Sequence, residues 1–151
     1  MKFDIIVVGS GPGGYVAAIR ASQLGKNVAI VEKAELGGIC LNWGCIPTKA
    51  LLKSAQVFEY LKHSADYGIT VKDSSADFEA IVKRSRGVAS NMSKGIEFLM
   101  KKNKITVHMG DGKLISANTL SVTKDGKTEE LRAKHIILAT GARARDLPFA
   151  P

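Results

Sequence analysis

Residues 3–32 read FDIIVVGSGPGGYVAAIRASQLGKNVAIVE, and this stretch decides the fold. Residues 3–8 form a short apolar run rich in β-branched side chains, the composition of a parallel strand buried on both faces. The run stops at Gly9. Residues 12–24, PGGYVAAIRASQL, then read as a helix, with Val16, Ala17 and Ile19 available to face a sheet. Pro12 suits a first helical turn, where its missing N–H costs nothing, and Gly25 is a natural stop. Residues 27–31, NVAIV, form a second buried-type strand ending at Glu32. The whole is a strand–helix–strand unit of about 30 residues.

The turn inside that unit carries chemistry. Gly9, Gly11 and Gly14 fit the pattern GxGxxG at the strand-to-helix junction. The first glycine permits a tight turn, the second lets backbone approach a pyrophosphate, and the third allows close helix–strand packing. The helix N-terminus adds free N–H groups and a positive dipole end. Alone, the pattern arises by chance. Here a strand precedes it, a helix follows, and Glu32 closes the next strand 18 residues past Gly14. A carboxylate there can accept hydrogen bonds from ribose hydroxyls and would repel a 2′-phosphate. The alternative is a solvated glutamate at a strand end. The complete unit favours a bound dinucleotide, with FAD and NAD equally compatible.

Working outward, residues 36–44 read as a glycine-rich connection. Leu51, Leu52, Ala55, Phe58 and Leu61 then recur at helical spacing. A further helix is expected from about Asp77 to Lys102, with Phe78, Ile81, Val82, Ser85, Val88, Met92, Ile96 and Leu99 as its buried stripe. Short strands follow at 104–109, 112–116, 119–123, 128–132 and 135–139, with Asp125-Gly126 as a hairpin turn. The expected fold is α/β: a parallel sheet with helices and a small antiparallel β insertion near 112–132. Residues 3–8 are expected between 27–31 and a later strand. One domain is expected over 1–143, and the tail 144–151 reads as a linker.

Composition sets bounds. A chain of 151 residues fits one domain with a real core. No apolar run reaches membrane-spanning length, and MKFDIIVVGSGPGG is not a secretory leader. The expected setting is a reducing cytoplasm, with no membrane association. The net charge of +8 raises the question of nucleic acid. Lys83, Arg84, Arg86, Lys94, Lys101 and Lys102 lie on one amphipathic stretch without interleaved aromatics, so a solvated helix face is the preferred reading and no nucleic-acid partner is expected.

The only two cysteines, Cys40 and Cys45, are separated by four residues in GICLNWGCIPTKALL. A disulfide closing so small a loop restricts the unfolded chain by only about 2 kcal/mol, so the pair suits opening and closing better than stapling. Structural zinc needs a full tetrahedral set, and His63, His108 and His135 stand at no motif spacing, so no metal is expected. Those histidines read as surface or strand residues. Lys49 follows Cys45 by one helical turn, where a cation favours a thiolate. A solvated helix lysine is the equal alternative.

These segments, GSGPGGYVAAIRASQLG, VEKAELGGICLNWGCIPTKALL and IILATGARARDLP, resemble the flavin disulfide oxidoreductases (class I pyridine nucleotide-disulfide oxidoreductases), and within them the dihydrolipoamide dehydrogenase branch. Glutathione and mercuric reductases share the general pattern and are the alternative. The resemblance implies a Rossmann-like FAD-binding domain. It implies Gly9, Gly11 and Gly14 at the FAD pyrophosphate, and Glu32 at the adenosine ribose with Lys33 beside it. Gly38 and Cys40 would line the site, Lys49 would lie near the isoalloxazine ring, Gly112 near adenine, and Thr140, Gly141 and Ala142 beside the cofactor. Cys40 would be the interchange thiol and Cys45 the charge-transfer thiol. Electrons would pass from dihydrolipoamide to the disulfide, to FAD and to NAD⁺. The implied partners are the lipoyl group of a 2-oxo acid dehydrogenase complex and a second subunit of a homodimer.

Relatives of this family are much longer. Their NAD domain, the later part of the FAD domain, and the interface domain with its His–Glu acid–base pair have no counterpart in these residues. The chain is therefore expected to be an N-terminal part with little or no turnover alone. Two other readings stand beside it: a stand-alone dinucleotide-binding or interaction module with a redox latch, and an inert piece whose exposed core edges self-associate.

Overall fold

Alternate side chains of the first strands point to opposite faces, and both faces are buried. The computed structural model of the chain describes residues 2–142, 145, 146 and 149. Most of the expected linker, residues 144, 147, 148, 150 and 151, lies outside the described residues, as do residues 1 and 143. In chain order the elements are β1 (Lys2–Val8), α1 (Pro12–Gln23), β2 (Val28–Glu32), α2 (Gly38–Asn42), α3 (Cys45–Lys62), a 3₁₀ turn (Ser64–Tyr67), α4 (Phe78–Lys102), β3 (Thr106–Met109), β4 (Asp111–Ser116), β5 (Thr119–Lys124) and β6 (Lys127–Leu138).

The strands make one six-stranded sheet in the order β3-β2-β1-β6-β5-β4. β1 pairs in parallel with β2 (Ile5 opposite Val28) and with β6 (Val7 opposite Ile137), so it lies between them as expected. β3 extends the parallel part beyond β2, and β4, β5 and β6 form an antiparallel meander at the other end. Ile6, Val8, Ala29 and Val31 pack with Leu120, Val122 and Leu131 of the meander. Val7, Val28 and Ile30 pack on the opposite face with Ala18, Ala21, Leu41, Ile96 and Met100 of the helices. Each valine, leucine, isoleucine or methionine among them that is fully removed from water contributes roughly 1.5–3 kcal/mol, which explains why these strands carry no polar alternation.

Four expectations are corrected. The connection over 36–44 contains a helix, α2, which carries Cys40. Residues 128–132 and 135–139 are one strand, not two, because β6 changes partner without breaking: its first half is antiparallel to β5 and its second half parallel to β1. On α1 the buried face is Gly14, Ala18 and Ala21, while Val16 is exposed. Small residues there let the helix close onto the turn below it. On α4 the buried positions are Ser85, Ala89, Ile96 and Met100, while Phe78, Val82 and Met92 are exposed. The face is set by what α4 packs against. Arg86 and Ser93 donate to the carbonyls of Asn42 and Leu36, and Ser85 buries its hydroxyl by donating to Val82 within the helix. Among the described residues no helix is long and apolar enough to cross a membrane.

Candidate functional site

The three glycines of the turn do three different things. Gly9 has a φ of +98°, in the left-handed region, and a Cβ added there would run into the Ala139 carbonyl. A Cβ on Gly14 would run into the Gly9 carbonyl, so helix and turn touch backbone to backbone. A Cβ on Gly11 would meet nothing within 4 Å. The backbone at Gly11 is thus open to an approaching group. α1 starts with Pro12, has no side-chain cap and no acidic residue in its first turn, so none of its own side chains neutralises its positive end. The observed turn therefore fits a pyrophosphate on its own geometry.

Glu32 ends β2 beside this turn. Its Oε2 accepts from the Ser10 amide at 2.9 Å and from the Ser10 hydroxyl at 2.6 Å, and its Oε1 accepts from the Ala34 amide at 2.9 Å. Burial pushes the Glu32 carboxyl upward. The Ser10 hydroxyl and the Ala34, Ser10 and Lys33 amides outweigh it and hold the group below its ordinary value. The carboxylate is ionised at neutral pH.

The cysteine helix is docked directly on the phosphate turn. Gly37 and Gly38 adopt positive φ (96° and 62°), and a Cβ on Gly38 would stand 2.8 Å from Gly11 Cα. The Gly37 amide donates to the Ser10 carbonyl at 3.1 Å. At the far end of α2 the Asn42 side chain donates to the Leu36 and Gly38 carbonyls, both at 3.0 Å. Cys40 is half-buried on α2; Cys45 is exposed as the first residue of α3; both are free thiols. Hydrogen bonding to the Cys45 thiol is the main cause that raises the Cys40 thiol above its ordinary value, with burial adding to it. The Cys45 amide and the charge of Lys49 oppose the rise. Lys49 is exposed, one turn along α3 from Cys45.

The remaining sequence-derived positions gather less tightly. Lys33 follows Glu32 and is exposed. Thr140, Gly141 and Ala142 follow β6 on the exposed side of Ala139, whose amide donates to Val8, and Thr140 Cα adjoins Gly9. Gly112 lies on β4, where a Cβ would stand 3.4 Å from Val8 and Val31 side chains at the ends of β1 and β2. The histidines lie away from the thiols. His63 caps α3 at its far end, His108 pairs with Glu129 at 2.6 Å, and His135 is exposed on β6. Sequence reasoning missed Ser10, Asn42, Arg86 and Ser93. Each acts through a partner distant in sequence or through a main-chain carbonyl, and neither leaves a pattern.

A family model described as pyridine nucleotide-disulphide oxidoreductase matches residues 3–150. The chain is 52% identical to dihydrolipoyl dehydrogenase of Zymomonas mobilis over 97% of this chain and 32% of that protein. It is 50% identical to the enzyme of that name from Rhizobium etli, over 97% of this chain and 34% of that protein. Against the one from Bacillus subtilis the figures are 43%, 98% and 32%. The chain thus spans about a third of the length of these curated relatives. A solved structure of the HOCl-induced flavoprotein disulfide reductase RclA of Escherichia coli, a Cu(II) complex, superposes with a TM-score of 0.82 at 26% identity, covering 98% of this chain and 30% of that one.

Proposed function

This chain belongs to the pyridine nucleotide-disulphide oxidoreductase family, and from that premise we propose that it is the FAD-binding, redox-dithiol part of a dihydrolipoyl dehydrogenase. One observation carries the reading: the dinucleotide turn and the cysteine helix are in contact, Gly38 against Gly11. A cofactor held by the turn is thereby held beside the thiols. Identities of 50% and 52% to dihydrolipoyl dehydrogenases favour this substrate class over glutathione or mercuric reduction.

Gly9, Gly11 and Gly14 hold the FAD pyrophosphate, and Glu32 the adenosine ribose, with Lys33 adjacent. Gly38, Cys40 and Lys49 line the flavin side, Gly112 the adenine side, and Thr140, Gly141 and Ala142 the remaining wall. Bound FAD supplies a two-electron acceptor for the dithiol. In the thiol step, one sulfur of dihydrolipoamide attacks Cys40 Sγ of the oxidised pair, the Cys40–Cys45 bond breaks, and Cys45 leaves as a thiolate. The second lipoyl sulfur then attacks the first, closing lipoamide and releasing Cys40. Two electrons have moved from substrate to protein, and the pair is left as two thiols. Cys40 is the exchanging sulfur and Cys45 the sulfur that faces the cofactor. In the whole enzyme NAD⁺ is the final acceptor, the substrate is the lipoyl group of a 2-oxo acid dehydrogenase complex, and the protein works as a homodimer in the cytoplasm.

The 151 residues alone are expected to turn over little or not at all, because proton transfer at the thiols lacks a histidine beside them: His63 sits at the other end of the 18-residue α3 from Cys45, about 27 Å along the axis. Steady NADH formation from dihydrolipoamide by the purified chain would overturn this. The cofactor reading is tested by titrating the purified chain with FAD and with NAD⁺. FAD should bind, and partial reduction should give a long-wavelength absorbance that Cys45→Ser abolishes and Cys40→Ser retains. Binding of NAD⁺ without FAD favours the stand-alone module instead, and swapped phenotypes reverse the roles of the two sulfurs.

A further inference from the structure

GxGxxG makes no demand on its second residue, yet here that residue is Ser10, which is 0% exposed. Its hydroxyl is fixed from two sides. It accepts at 3.2 Å from the Gly37 amide, whose N–H it shares with the Ser10 carbonyl at 3.1 Å, and donates to Glu32 Oε2 at 2.6 Å. A serine hydroxyl has a single proton. With Gly37 occupying a lone pair and no solvent access, that proton has Glu32 as its acceptor. The Ser10 amide donates to the same oxygen at 2.9 Å. Short hydrogen bonds to an ionised acceptor are the strong kind. Two of them on Oε2 remove the rotation that a strand-end glutamate otherwise has. Oε1, which accepts from the Ala34 amide at 2.9 Å, keeps a lone pair to spare.

We propose that Ser10 is the positioning residue for adenosine-ribose recognition: it clamps Glu32 Oε2 to the phosphate turn and so presents Oε1 to a ribose hydroxyl. This rests on the reading of Glu32 as the ribose ligand. Its consequence is that discrimination for the ribose depends on a side chain that does not itself bind it. The lowered protonation equilibrium of Glu32 agrees with the clamp, since both Ser10 donors favour the charged form.

The test is a double-mutant cycle read in binding. Affinities of the purified chain for FAD and for its 2′-deoxyadenosine analogue are measured for the unaltered protein, Ser10→Ala, Glu32→Gln and the double variant. Circular dichroism confirms that each is folded, and Ser10→Gly serves if Ser10→Ala is not. The unaltered chain should prefer FAD by about tenfold, the worth of one hydrogen bond to a charged group. Ser10→Ala should lose most of that preference. Glu32→Gln should also lose it, and adding Ser10→Ala to Glu32→Gln should change the preference no further. A serine that serves only to build the turn would weaken both ligands equally and leave the preference intact, which overturns the proposal while Glu32 stays the ribose ligand. If the unaltered chain binds FAD without preferring it, or binds neither ligand, the reading of Glu32 itself falls and the role of Ser10 falls with it.

Discussion

Cys40 and Cys45 are the same residue type, but their surroundings make them unequal. Cys40 is half-buried and shares a hydrogen bond with the Cys45 thiol, which raises it, while Lys49 pulls it down. The two influences can be separated. Cys45→Ala should move the pH profile of Cys40 alkylation to lower pH, and Lys49→Gln should move it to higher pH. Alkylation rates by mass spectrometry across pH check both, and a profile indifferent to Cys45 sinks the first. Glu32 gives a second pH dependence. Its folded value is lowered from 4.5, so its contribution to stability is complete above that value and is lost as pH falls through the lowered folded value. Glu32→Gln should flatten the acid limb of stability in urea denaturation below about pH 4.5 and leave its slope near neutrality unchanged. Glu32 and the two cysteines were legible in the sequence, as a strand-end carboxylate and a close pair of thiols. Ser10 was not, because its partner lies 22 residues away and a serine between glycines reads as turn filler.

The phosphate turn offers a sharper test at the level of the element, because two neighbouring glycines of α1 differ in surroundings. Gly13 is helical, without positive φ, and a Cβ there would meet nothing within 4 Å. Gly13→Ala should stabilise the chain by roughly 0.5–1 kcal/mol through lost freedom in the unfolded state. A Cβ on Gly14 would run into the Gly9 carbonyl, and backbone cannot swing away as a side chain can. Gly14→Ala should cost about 1–3 kcal/mol or more as α1 lifts from the turn. Thermal midpoints of the two variants should move in opposite directions, and parallel shifts would refute the packing argument. Length and period decided which elements could be read. α1, β1 and β2 announced themselves by apolar runs between glycines. α2, with five residues between Gly37 and Trp43, is too short to show a period and was read as loop. β6 was read as two strands because its pattern changes from polar to apolar at about residue 133. The change marks where its neighbour switches from β5 to β1, not where the backbone breaks.

At the scale of the whole molecule, the parallel order around β1 and the antiparallel meander followed from the sequence, since strands buried on both faces lose their polar alternation. The charge did not distribute as simply. Arg84 donates to the Ala50 carbonyl and Arg86 to the Asn42 carbonyl, so part of the basic stretch ties α4 to α3 and α2 and is not merely solvated. The sheet itself carries the last expectation. β5 covers β6 only from Lys127 to Arg132, whereas β1 runs along its other side up to Leu138. Among the described residues no strand covers the second edge of 135–138, and Ile137 and Leu138 are 38% and 60% exposed there. Unpaired N–H and C=O groups beside exposed apolar side chains are a template for another strand. The purified chain should therefore associate as its concentration rises, through this edge. A lysine at the edge adds a charge that an incoming strand must bury, at little cost to a monomer in which the position is already wet. Ile137→Lys should lower the weight-average mass seen by sedimentation velocity at high concentration and leave the far-ultraviolet circular dichroism unchanged. Association that persists in Ile137→Lys would place the contact elsewhere, with the exposed Leu51, Leu52 and Tyr60 of α3 as the next surface to alter.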